Sequence, residues 1–175
     1  MDIKTKLITA AEQLFDRHGF TATGMDRLTK AAGFSSRTVY KHVGSKAALS
    51  ALVLSERERR FMHYLDVHSV DALFAALEDW VRDEGSRGCL FLRAYSETGG
   101  DTPEIAETVT AHKAAFRSHI ANVVEQDVGK TGGDALTDQI LVLFEGATAA
   151  SVYRGPEAIA AARQAAAILI KQVRP

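Results

Sequence analysis

The chain has 175 residues, 46% hydrophobic and 25% charged, which suits one mid-sized globular unit or a small head on a larger body and excludes a disordered chain. A single cysteine, Cys89, excludes an intrachain disulfide framework and fits a reducing cytoplasm. The net charge of −1 hides a division, because residues 1–60 carry 11 Lys and Arg against 6 Asp and Glu while the remainder has a net charge of −6.

A basic head on an acidic body suits one part that meets a polyanion and one that does not. No apolar run approaches the ~20 residues that span a bilayer. The N-terminal stretch MDIKTKLITAAEQLF carries acidic residues and no signal-peptide core, so a cytoplasmic protein with no membrane partner is expected.

In chain order, Ile3, Leu7, Ala11, Leu14, Phe15 and His18 share one helical face, and Gly19 closes that helix. Two short helices are predicted over 24–32 and 36–42. Met25, Leu28 and Ala32 line the first; Gly33 supplies its stop, and Phe34 anchors the turn. Ser35 or Ser36 caps the second, whose apolar anchor is Val39. A fourth helix is capped at Ser45 and runs to about Leu65, with SERERR as a charged face.

Val70 to Glu84 is predicted to be amphipathic, with Leu73, Phe74, Leu77, Trp80 and Val81 on its apolar side, and Gly85, Ser86 and Gly88 break it. Cys89 to Thr98 forms a short apolar helix ended by Gly99 and Gly100. Thr102, Pro103 and Glu104 open a long helix that runs to Val128 and stops at GKTGG. Asp134 caps the next, ending near Arg154, and Gly155, Pro156 and Glu157 open the last. No alternating strand pattern and no repeat is evident. The fold class expected is all-α, of about nine helices: a three-helix DNA-binding head over 1–46 and a helical regulatory body over 47–175.

The head carries the chemistry. Ser36, Arg37, Thr38, Tyr40, Lys41 and His42 place donors on a short helix beside a glycine turn, which suits a major groove. Arg37 has the fork for guanine O6 and N7. Ser36 and Thr38 can bond base or phosphate, whereas Tyr40, Lys41 and His42 grip phosphate and fix register. Lys46 adds a cation in the first turn of the fourth helix. With Ser35, these residues form the candidate DNA-contact set. The plainer alternative is that Tyr40 and His42 pack the head and the charges are a solvated face.

The runs ITAAEQLFDRHGF over 8–20, TGMDRLTKAAGF over 23–34 and TVYKHVGSKAAL over 38–49 resemble, in order and spacing, the N-terminal domain of the TetR family of bacterial repressors. The resemblance implies that Thr38, Tyr40, His42 and Lys46 contact phosphate and that Ser36 and Arg37 vary with operator sequence. It also implies a homodimer formed through the last long helices, and a small apolar or amphipathic ligand in the body that releases the operator. Two positions depart from the pattern: Gly24 stands where many members carry a hydroxyl residue, and Thr29 where alanine is usual.

Candidate pocket residues in the body are Trp80, Phe91, Tyr95, His112, Phe116 and Phe144. Ile105, Val109, His112, Phe116, Ile120 and Val123 share one face, which turns His112 inward and leaves His119 near the edge. His112 reads either as a polar anchor for a ligand or as a hydrogen-bonded core histidine. A metal site from His112 and His119 is disfavoured, since seven residues of helix span ~10 Å. Small residues dominate the last two helices, and Leu143, Ala147, Ala150, Ala161, Ala165 and Ile168 form a candidate dimer face that could build a four-helix bundle.

Cys89 reads as a small buried residue rather than a redox sensor. Gly129-Lys130-Thr131 is not a phosphate loop, because Val124 stands where its first glycine is required. No cofactor is expected, and nothing in the sequence marks an enzyme. The expected function is a transcriptional regulator binding double-stranded DNA as a dimer under an unidentified small effector. The competing reading keeps the DNA head and gives the body a protein partner, as in an adaptor or nucleoid-associated protein.

Overall fold

A computed structural model describes residues 2–85, 87–131 and 133–174. Ser86 and Gly132, expected at two of the breaks, lie outside the described residues. Among the described residues the chain is all helical: α1 (Ile3–His18), α2 (Met25–Ala32), α3 (Ser36–Val43), α4 (Lys46–Tyr64), α5 (Val70–Glu84), α6 (Leu90–Glu97), α7 (Pro103–Val128), a short 3-10 turn (Gly129–Thr131), α8 (Gly133–Arg154) and α9 (Glu157–Val173). They form two compact units, Met1–Arg59 with Leu90–Ala111, and Arg60–Cys89 with His112–Pro175. The helices α4 and α7 each supply a segment to both.

In the first unit, α1 buries Leu7, Ala11 and Phe15 and packs on α2 and α3. Asp2 caps it by accepting from the Thr5 amide at 2.7 Å. Phe15 stacks on Phe20 with ring centres 4.4 Å apart, a pair that contributes about 1 kcal/mol beyond its burial. The α2 helix buries Leu28, with Met25 and Ala32 half-buried, and stops at Gly33 in the left-handed conformation. The buried Thr29 hydroxyl donates to the Asp26 carbonyl at 2.9 Å, so this polar group is satisfied inside its own helix.

Ser35 proves to be the cap of α3, and that helix has a second apolar anchor, Val43, because it runs one residue further than its expected end. Ser45 caps α4 through the Ala48 amide at 3.0 Å. The SERERR stretch is not wholly a charged face. Arg57 is only 5% exposed and meets Glu12 of α1 at 2.9 Å, since the helical turn points it at α1 rather than at water.

The second unit is built on α5, α8 and α9, with α8 packed along α9 and α5 against both. Its core joins Leu73, Phe74, Leu77 and Trp80 of α5 to Phe116, Ile120, Ile140, Phe144, Ile159 and Ala166. The α8 helix begins at Gly133, so Asp134 sits in its first turn rather than at its cap, and its carboxylate accepts from Arg117 at 3.2 Å.

Candidate nucleic-acid interface

Val39 and Val43 lie one turn apart on α3 and are buried, which fixes the opposite side of the helix toward solvent. That side presents Ser36, Arg37, Tyr40, Lys41 and His42, all exposed, with Tyr40 at 48%. Tyr40 and His42 are therefore not packing residues of the head. Ser35 and Thr38 are placed differently. The Ser35 hydroxyl accepts from the Thr38 amide at 3.2 Å and lies 2.9 Å from the Thr38 hydroxyl, so Ser35 serves the helix start and Thr38 is half-buried beside it.

Gly44, with φ of 74°, ends α3 through a bond from its amide to the Tyr40 carbonyl, and the chain turns at once into α4. Lys46 thus follows α3 closely and is half-buried. None of Lys30, Arg37, Lys41 and Lys46 is ion-paired with a described residue, so no described carboxylate compensates their charge. Two exposed cations escaped the sequence reading, Arg27 and Lys30 on α2. The Arg27 guanidinium lies 2.8 Å from His18 Nε2, a neighbour that orients it without cancelling its charge as a carboxylate would. The signal was available as two cations three residues apart on a short helix, beside the better-marked α3.

A model of bacterial regulatory proteins of the tetR family matches residues 7–53, and one of the tetracyclin repressor-like C-terminal domain matches residues 67–166. The chain belongs to the TetR family. It is a helix-turn-helix DNA-binding transcriptional regulator. The transcriptional regulator UidR of Escherichia coli K12 is 24% identical over 149 residues, covering 79% of this chain and 76% of UidR. A TetR-family regulator from Streptomyces coelicolor shares the fold with a TM-score of 0.86 and 24% identity, covering 99% of this chain and 96% of that one. Salmonella enterica GusR shares it with a TM-score of 0.73 and 21% identity, covering 97% and 95%. These matches are to regulators, not to enzymes.

In this TetR-family chain the second unit gathers four of the six expected pocket residues around a residue the sequence reading missed, Phe61 of α4. Its ring centre lies 5.2 Å from Trp80, 5.5 Å from Phe116, and 6.1 Å from both His112 and Phe144. His112 is buried and stacked parallel to Phe116. Phe91 and Tyr95 belong to α6 in the first unit, Phe91 buried and Tyr95 exposed. A cleft of about 400 Å3 at the turn between α7 and α8 is lined by Val124, Glu125, Lys130, Asp134 and Thr137, none of them an expected pocket residue. His119 is occupied by a bond of its Nε2 to the Leu65 carbonyl at 2.7 Å. No helix among the described residues is long and apolar enough to cross a membrane.

Of the expected dimer residues, Ala147 is buried in its own unit and the other five are half-buried or exposed. Ile168 among them is 61% exposed, and Val142 at 69% and Tyr153 at 80% add exposed apolar side chains on α8. Val142, Gly146, Ala149 and Tyr153 follow helical spacing along α8, while Ala161, Ala165 and Ile168 do so on α9.

Proposed function

We propose that this regulator is a repressor that binds a palindromic operator as a dimer and is released by a small ligand held in the C-terminal domain. DNA contacts fall within residues 1–46, and dimerisation and ligand binding within 47–175. The observation that carries the reading is the solvent side of α3, where Ser36, Arg37, Tyr40, Lys41 and His42 stand exposed on a helix held by two buried valines. Arg37 near the helix start reads base edges; Tyr40, Lys41, His42 and Lys46 hold phosphates. Thr38 contributes its methyl, and Ser35 acts through the helix cap.

One head reads too few base pairs for a unique site, and a two-fold copy doubles the contact. The exposed apolar residues of α8 and α9 support such pairing, because a contiguous apolar helix face left in water marks an interaction surface. For the ligand, the support is the Phe61, Trp80, Phe116 and Phe144 ring cluster with buried His112 as its polar member. An apolar or amphipathic effector with one hydrogen-bonding group suits that lining.

Selection of bound sites from random duplex DNA with the purified protein tests the reading. A palindromic motif is the expected result. Binding without a motif would favour an adaptor or nucleoid-associated role, and absence of binding at low salt would overturn the assignment of α3.

A further inference from the structure

The turn between α1 and α2 is short of local restraints. Gly24, at the start of α2, offers no side chain to cap it, and a Cβ placed there would meet nothing within 4 Å. Two internal bonds steady this turn, both from the buried Thr23: its hydroxyl donates to the Gly19 carbonyl at 2.7 Å and its amide to the Phe20 carbonyl at 3.4 Å. The rest comes from α6, which is remote in sequence but belongs to the same compact unit. The Glu97 carboxylate accepts the Thr21 amide at 2.9 Å, and the Thr21 hydroxyl donates to the Glu97 carbonyl at 3.0 Å. Arg93 holds that carboxylate through Nε at 2.8 Å and reaches the Asp16 carbonyl, at the end of α1, also at 2.8 Å.

Gly19 completes the arrangement. Its φ of 88° disfavours any side chain, and a Cβ there would lie 2.5 Å from Glu97 Oε1. Burial alone would push the Glu97 carboxyl up, but the Thr21 amide and the Arg93 guanidinium outweigh it and hold it below the usual carboxylate range. The carboxylate is therefore ionised across the neutral range.

We infer that Glu97, held by Arg93, is a positioning residue for DNA binding: it fixes the α1–α2 turn and through it the entry of α2, on which α3 packs. A carboxylate from α6 satisfies a turn amide that no nearby residue reaches, and the turn it fixes leads straight into the helix that braces α3. The first turn of α2 also presents uncapped amides and the exposed Arg27, which gain a phosphate contact only if that turn is held in place.

The test uses the full chain and a duplex that the wild-type protein has selected from a random pool. Binding is followed by fluorescence anisotropy over a range of salt, and melting temperature is measured in parallel. Glu97→Ala is expected to bind about tenfold more weakly, the loss of one charge-assisted cap, with a salt slope shallower by about one phosphate per head. Glu97→Gln keeps an acceptor for the Thr21 amide and loses the ion pair, and falls between wild type and alanine. Leu73→Ala lowers stability in the core of the second unit and is the control for melting alone. If both Glu97 variants bind with wild-type affinity and slope, or weaken only as Leu73→Ala does, the inference is overturned. Should Glu97→Ala fail to fold, the near-isosteric Glu97→Gln decides the question by the same slope.

Discussion

In the second unit five arginines end on carboxylates: Arg60 on Glu84, Arg82 on Asp79, Arg117 on Asp134 and Asp138, Arg163 on Asp71, and Arg174 on Asp127. In α2, α3 and the first turn of α4, Lys30, Arg37, Lys41 and Lys46 end on no described carboxylate. Both regions are folded helices with ordinary apolar cores, so stability does not demand the difference. A paired arginine has satisfied its charge within the chain, whereas an unpaired one on a rigid helix keeps it for an external anion. Charge pairing also occurs in the first unit, Arg57 with Glu12 and Arg93 with Glu97, so the contrast lies between the cations of α2, α3 and the start of α4 and the rest of the chain. The proposed use of those cations for DNA can be tested separately from the pairing.

The largest expected effect is on the head and comes from salt. If each head of a dimer meets three or more phosphates, affinity for a selected duplex should fall by ~10³-fold between 50 and 200 mM salt. Anisotropy titrations at several salt concentrations measure this, and a flat dependence would mean that the unpaired cations do not face the duplex. The matching test of the second unit is a cavity. Phe74→Ala removes a fully buried ring whose centre lies 5.8 Å from that of Phe144, and should cost about 3–5 kcal/mol in denaturant unfolding. A cost under 1 kcal/mol would show that the ring is not confined by its neighbours.

Smaller effects divide the head itself. Arg37→Ala should lose about 1–3 kcal/mol on the selected duplex and relax the base preference at one position per half-site. Lys46→Ala should weaken all duplexes alike and reduce the salt slope by about one per head, while leaving unfolding within ~0.5 kcal/mol of wild type. Repeating the site selection with each variant separates the two roles. Equal losses on every sequence would erase the distinction between base reading and phosphate holding.

Most of the helical layout was legible because its punctuation is chemical. Gly19 and Gly33 stop helices at positive φ, Ser45 caps α4, and Pro103 opens α7. The donor face of α3 was legible because the sequence offers Val39 as an apolar anchor among donors, and buried Val43 one turn on adds to the same side. What escaped depends on contacts between distant segments. SERERR has the composition of a solvated face, and only the ion pair with Glu12, 45 residues earlier, shows that Arg57 turns inward. Phe61 stands next to that charged run, and nothing in its neighbourhood marks it as the centre of an aromatic cluster drawn from α5, α7 and α8. Glu97 ends a short apolar helix and bonds a turn 76 residues earlier, a relation without any periodic signal.

The smallest effect sharpens the comparison most, because it asks whether charge pairing in the second unit contributes anything at all. Arg163 grips Asp71 with two bonds, Nε at 2.6 Å and Nη2 at 2.5 Å, joining α9 to α5. Both side chains are largely exposed, so screening and side-chain ordering offset most of the attraction, and Asp71→Asn should cost only about 0.2–1 kcal/mol, the forked geometry favouring the upper end. The hydrogen bond from Arg163 holds the Asp71 carboxyl below its ordinary value of 3.8. A carboxylate lowered in the folded state adds stability above its unfolded value and loses it as pH falls through the lowered one. The gap between wild type and Asp71→Asn should therefore be constant near neutrality and narrow below about pH 4, as seen in denaturant melts at several pH values. DNA affinity at neutral pH should not change. A fall in affinity without a fall in stability would place this pair on the DNA side of the comparison and break it.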